Sequence, residues 1–169
     1  MHLYLSTRSV INSTFANEDG QVLYKVETPM AAGTRVSTIS MVVPDDVPQR
    51  DGEPDMHDRF AHLAEIEHHT KDYFRKEGFS RFGRNRVWTA SDGREYKWLL
   101  RSMKSELVTN DSEEKTIAKS HRRSLGILGP VRPGYLEILP EGEHIVQEIL
   151  ITFIYVEKYR KEKERTSKY

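Results

Sequence analysis

Residues 143–169, EHIVQEILITFIYVEKYRKEKERTSKY, constrain the fold more than any other stretch. Ile145, Val146, Ile149, Leu150, Ile151, Phe153, Ile154, Tyr155 and Val156 spread around every side of a helix instead of forming one stripe. A helix that is apolar nearly all round must be buried nearly all round. Only Gln147, Glu148 and Thr152 interrupt it. Upstream, Pro140-Glu141-Gly142 ends a strand, and Glu141 and Glu143 suit the positive end of a helix dipole. A core helix is therefore expected over about residues 142–163, with the charged tail from Glu157 to Tyr169 emerging into water.

The remaining chain must supply what surrounds that helix, and it reads as strands. In QVLYKVET, Val22, Tyr24 and Val26 face one way, and Gln21, Lys25 and Glu27 do not fit that face. Asp19-Gly20 just before it is a hairpin turn signal. TRVSTISMVV is rich in β-branched residues, with Val36 and Val42 on one parity and Ile39, Met41 and Val43 on the other. RVWTASDGREYKWLL predicts a hairpin around Asp92-Gly93 that brings Trp88 and Trp98 into neighbouring strands. SELVTNDSEEKTIAKS predicts a third hairpin turning at Asn110 to Glu113, and YLEIL a short strand. Turn signals recur at the spacing of an antiparallel sandwich or barrel. One helix enclosed on every side by strands implies an antiparallel β-barrel of short strands with the helix threaded through it. The 169 residues suit one domain. The Pro-rich stretch 44–58 is expected to be a loop, because it holds six acids against Arg50.

This order of elements resembles the tubby C-terminal fold, shared with LURP-one-related proteins and phospholipid scramblases. FANEDGQVLYKVET, VWTASDGREYKWLL and the terminal helix are more similar to a group of short fungal proteins of unknown function assigned to that fold. The resemblance covers most of the chain through loose motifs. Tubby proteins bind phosphoinositide headgroups through basic residues on the barrel. No local motif here carries those residues over one by one, and fold alone does not imply function.

Composition narrows the function classes. Acids and bases balance at 26 each, so no global field draws the chain to nucleic acid or membrane. The absence of cysteine excludes disulfides, thiolate metal sites and a cysteine nucleophile. The start, MHLYLSTRSV, lacks the pattern of a signal peptide, and the longest apolar stretch is too short to span a membrane. The expected location is cytoplasmic, and a peripheral position at a membrane is compatible with it. No cofactor motif is present: GILGPVRPG has no P-loop lysine at the required spacing, and no G-x-S-x-G elbow accompanies Ser120, His121 and Ser124.

Three constellations remain. In HDRFAHLAEIEHHT a helix would bring His62, Glu65 and His69 to one face, where they could hold a metal. A strand, which the fold needs here, puts His62 and His69 on opposite faces, so no metal is expected. Two basic clusters offer arginine forks suited to phosphate. From Lys71 to Arg86, six bases oppose Asp72 and Glu77, and from Lys115 to Arg132 five bases meet no acid. Arg81, Arg84, Arg86, Lys119, Arg122 and Arg123 are the candidate ligands. They point to a non-enzymatic module that binds an anionic phospholipid headgroup or a phosphorylated small molecule, provided the clusters converge. The alternative is a small barrel enzyme. Glu148, Thr152, Tyr155 and Tyr159 form one polar stripe along the helix, and a buried Glu148 with His121 could do acid–base chemistry.

Overall fold

A computed structural model describes residues 1–29, 36–43, 59–66, 73–80, 83–101, 104–124 and 130–166. Eleven strands make one antiparallel sheet: β1 His2–Leu5, β2 Ser13–Ala16, β3 Val22–Glu27, β4 Ser37–Val43, β5 Arg59–Ile66, β6 Arg75–Ser80, β7 Gly83–Thr89, β8 Glu95–Leu100, β9 Ser105–Thr109, β10 Thr116–His121 and β11 Tyr135–Ile138. A 3-10 turn, Pro140–Ile145, leads into the helix α1, Val146–Thr166. The strand order is β5-β4-β3-β2-β1-β11-β10-β9-β8-β7-β6. Neighbours in the sheet are neighbours in sequence everywhere except at β1 and β11, which zip the two ends of the strand series together.

The expected turns are in place. Gly20 and Gly93 adopt positive φ (80° and 79°) in the β2–β3 and β7–β8 connections, a conformation glycine adopts without a Cβ clash. Trp88 pairs with Tyr96, and Trp98 with Arg86, across β7 and β8. The strand expected at the histidines is β5, where His62 is exposed. The acidic stretch 44–58, and His68 and His69, lie outside the described residues.

The barrel expectation needs correction. Among the described residues no ladder joins β5 to β6, so the sheet is open rather than closed. Both flanking ladders are irregular. The β4–β5 register shifts opposite Ile39 and Ser40, and the β6–β7 register shifts between Glu77 and Ser80, where Gly78 has φ 60°. Such bulges bend a strand and turn its edge away from further pairing. The sheet still curls, because α1 approaches β5 at one edge and β7, β8 and β9 towards the other.

Along α1 the apolar residues do what their all-round distribution requires. Ile149, Leu150, Phe153, Ile154 and Val156 are all buried, against Leu3, Phe15, Ile39, Trp98, Leu107 and Leu136 of the sheet. The polar stripe is used for seating. Glu148 accepts hydrogen bonds from the Ser91 amide (3.0 Å) and hydroxyl. Thr152 accepts one from Trp98 Nε1 (3.0 Å). Tyr155 stacks on Phe74 (4.7 Å), and the Tyr159 ring lies 4.3 Å from the Arg86 guanidinium. The stripe thus faces the β6–β8 side of the sheet.

Gly142 marks where the chain enters the core. A Cβ built there would sit 2.7 Å from Ile117 Cγ2, 2.9 Å from Ile149 Cδ1 and 3.2 Å from Ile138 Cγ2. All three neighbours are buried, so they have little room to yield. Gly142→Ala should therefore destabilise the protein by about 1–3 kcal/mol, as overpacking does. A lower denaturant midpoint with an unchanged slope is the expected readout. An alanine variant as stable as the wild type would contradict this packing.

Candidate functional site

The first turn of the charged half of α1 does not emerge into water as its composition suggests. Glu157, Lys158 and Arg160 are buried. The Arg160 fork holds Glu157 through both carboxylate oxygens, Nε to Oε1 and Nη2 to Oε2, each at 2.9 Å. Ser105 Oγ on β9 donates to the same Oε1 at 2.6 Å. Burial by itself pushes the Glu157 carboxyl up, but the Arg160 guanidinium and the Ser105 hydroxyl outweigh it, and the carboxyl ends below its ordinary value. Desolvation of Glu157 and Arg160 is offset by these three charge-assisted hydrogen bonds.

This pair forms one wall of a cavity of about 330 Å³. The end of β1 contributes Leu5, and the β1–β2 connection Thr7, Arg8 and Val10. The end of β10 and the residues after it contribute Ser120, His121, Arg122 and Arg123, and the start of β11 contributes Gly134 and Tyr135. Helix α1 contributes Phe153, Glu157, Arg160 and Lys161. Among the described residues, five cationic side chains thus line the cavity against one carboxylate, which Arg160 already holds. Arg8, Arg122 and Arg123 are exposed at the mouth.

Local structure fixes these positions. Lys161 Nζ donates to the Arg8 carbonyl (2.7 Å), tying the β1–β2 connection to the helix. Thr7 Oγ1 braces the same connection on the Asn12 carbonyl (2.8 Å). Ser124 N donates to Arg132 O (3.0 Å), which extends the β10–β11 pairing beyond Arg122 and Arg123. At Gly134 a Cβ would come within 3.2 Å of the His121 carbonyl, so the close approach favours glycine. His121 is engaged on two sides, stacked on Tyr135 (4.3 Å, 7° between planes) and bonded through Nε2 to Glu137 Oε2 (2.8 Å).

The structure divides the sequence-derived candidates. Arg122, Arg123 and His121 line the cavity. Lys119 does not; it lies 3.8 Å from Glu106, which Arg101 and Lys104 also approach. Arg86, another of the candidates, does not line the cavity either. It is 2% exposed beneath Tyr159, because its β7 position faces the helix. Arg84 is exposed but does not line the cavity, and Arg81 lies outside the described residues. The described members of the two basic clusters therefore do not share this cavity. Glu148 and His121 are not brought together either. Glu148 is bonded at the β7–β8 turn, about 13 Å along the helix from Glu157 at 1.5 Å per residue. Near that turn Asp92 accepts from His144 (2.8 Å) and Tyr96 (2.7 Å). Burial alone would raise Asp92, but these bonds bring it down to about 2.

A family model described as a family of unknown function, DUF6593, matches residues 8–162. The chain belongs to this family. The match takes in most of the DUF6593 member's cavity lining, from Arg8 to Lys161, and leaves out Leu5 and Thr7. No curated protein and no solved structure matches the chain. Among the described residues of this DUF6593 protein, no helix is long and apolar enough to cross a membrane, and no group of three or more His, Asp or Glu side chains could hold a metal ion.

Arg8, Arg160 and Lys161 escaped the sequence reading. Arg8 is a lone cation in a turn, with no local pattern to single it out. Glu157 and Arg160 did leave a trace, an i, i+3 acid–base pair continuing a buried helix.

Proposed function

We propose that this protein is a non-enzymatic binding module for an anionic ligand, a phosphoinositide or membrane headgroup or a phosphorylated small molecule, held in the cavity beside α1. The observation that carries this reading is the charge imbalance of the described lining: five cations against one carboxylate that is already held. Arginine forks at a concave surface match phosphate oxygens in pairs. The lining includes His121, whose ring is stacked and bonded, and no second acid–base group beside it from the Glu148 stripe. A meander sheet curled about an apolar C-terminal helix supports the tubby-like reading of the fold. Action at a membrane surface would follow from headgroup binding.

Binding of a soluble inositol phosphate, and of vesicles carrying a phosphatidylinositol phosphate, should fall as salt rises, since exposed charges are screened over about 8–10 Å at physiological ionic strength. Arg122→Ala and Arg123→Ala should each weaken binding several-fold. Both should leave the melting temperature nearly unchanged, because exposed charges contribute little to stability. Binding of the soluble ligand alone would assign the site to a free metabolite. Equal binding to phosphatidylcholine vesicles, or no effect in either variant, would sink the anion reading.

A further inference from the structure

The cavity is cationic at its mouth, and its buried lining sets apolar side chains beside the mutually bonded Glu157–Arg160 pair. Arg8, Arg122 and Arg123 are exposed at the opening. Val10 and Phe153 are nearly fully buried at 3% and 2%, and Leu5 is half-buried. Phe153 rests on Trp98, with ring centres 5.8 Å apart, so this part of the lining is backed by the core. An inorganic anion would satisfy the mouth and leave the apolar lining facing water. The volume of about 330 Å³ is in the range of pockets that take organic molecules. Apolar surface in a pocket is stabilised by apolar atoms that displace water from it.

We propose that the ligand is an anionic amphiphile with a single short or bent chain, its head on the arginines and its chain along Leu5, Val10 and Phe153. This rests on the anion reading above and adds to it the class of molecule. A phosphate head and a carboxylate head share the required chemistry.

Titration calorimetry below the micellar concentration can test it with inorganic phosphate, octyl phosphate, octanoate, acetate and octyl glucoside. Octyl phosphate should bind at least tenfold tighter than phosphate, and octanoate should exceed acetate if carboxylate heads are accepted too. Leu5→Asn should cut the advantage of octyl phosphate over phosphate several-fold, and Arg122→Ala/Arg123→Ala should weaken both phosphates. Equal affinity for phosphate and octyl phosphate would overturn the amphiphile and leave anion binding standing. Octyl glucoside binding as tightly as octyl phosphate would show apolar adsorption only and overturn it as well. No binding of any anion would overturn both readings. A thermal melt of each variant separates lost binding from lost folding.

Discussion

A chain ending at Gly142 should not melt cooperatively. It would lack Ile145, Ile149, Leu150, Phe153, Ile154 and Val156, all buried at 3% or less. Each such side chain contributes about 1.5–3 kcal/mol on burial, and a domain of this kind has only ~5–15 kcal/mol of net stability. The loss also strips the inner face of the sheet, exposing Trp98, Leu107 and Leu136 together. An exposed apolar face of that kind drives aggregation. The expected product is insoluble, or compact with dye-binding apolar surface and no sharp thermal transition. A truncated chain with a cooperative melt near that of the full protein would show that the sheet is stable without its helix.

Glu157→Ala should cost about 3–5 kcal/mol, because it removes the carboxylate that accepts two hydrogen bonds from the buried Arg160 guanidinium. Ser105 would lose its acceptor at the same time. Replacing both charges by apolar residues, as in Glu157→Leu/Arg160→Met, should recover most of that loss, since desolvation no longer opposes folding. The carboxyl of Glu157 lies below its unfolded value, so its contribution is present above about pH 4.5 and is lost as pH falls through the folded value. Glu157→Gln should therefore flatten the acid limb of the stability profile. Urea titrations of the four proteins between pH 3 and pH 7 check both statements. A small loss in Glu157→Ala, with the acid limb unchanged in Glu157→Gln, would mean that the pair contributes little.

Much of the strand pattern was legible because local chemistry controlled it. Asp19-Gly20 and Asp92-Gly93 demand turns wherever they occur, and the alternation of β3 sets which of its faces is apolar. β1 and β6 were not legible: HLYL is four residues long, and RKEGFS carries charges and a glycine. Both exist because neighbouring strands hold them, β11 and β2 for the first and β7 for the second. Tertiary pairing overrides weak strand propensity in such short segments.

The candidate site was legible only in part, for a related reason. A run such as His121-Arg122-Arg123 shows that cations are near one another, but charge in sequence carries no direction. Arg84 and Arg86 are equally basic and share one strand parity, yet Arg84 is in water while Arg86 is covered by Tyr159 of α1. Arg8 and Lys161 stand 153 positions apart and meet only because β1 lies beside β11 while the helix returns beneath them. By itself the sequence determined that α1 is buried, since no arrangement leaves a face of its first half favourably in water. Only the tertiary structure decided that the sheet stays open at β5 and β6, that the burial runs on to Arg160, and which cations share a cavity. Those outcomes depend on edge irregularities, on a two-pronged ion pair and on long-range strand pairing. Each is a relation between residues distant in the chain or in the sheet, and local composition does not encode it.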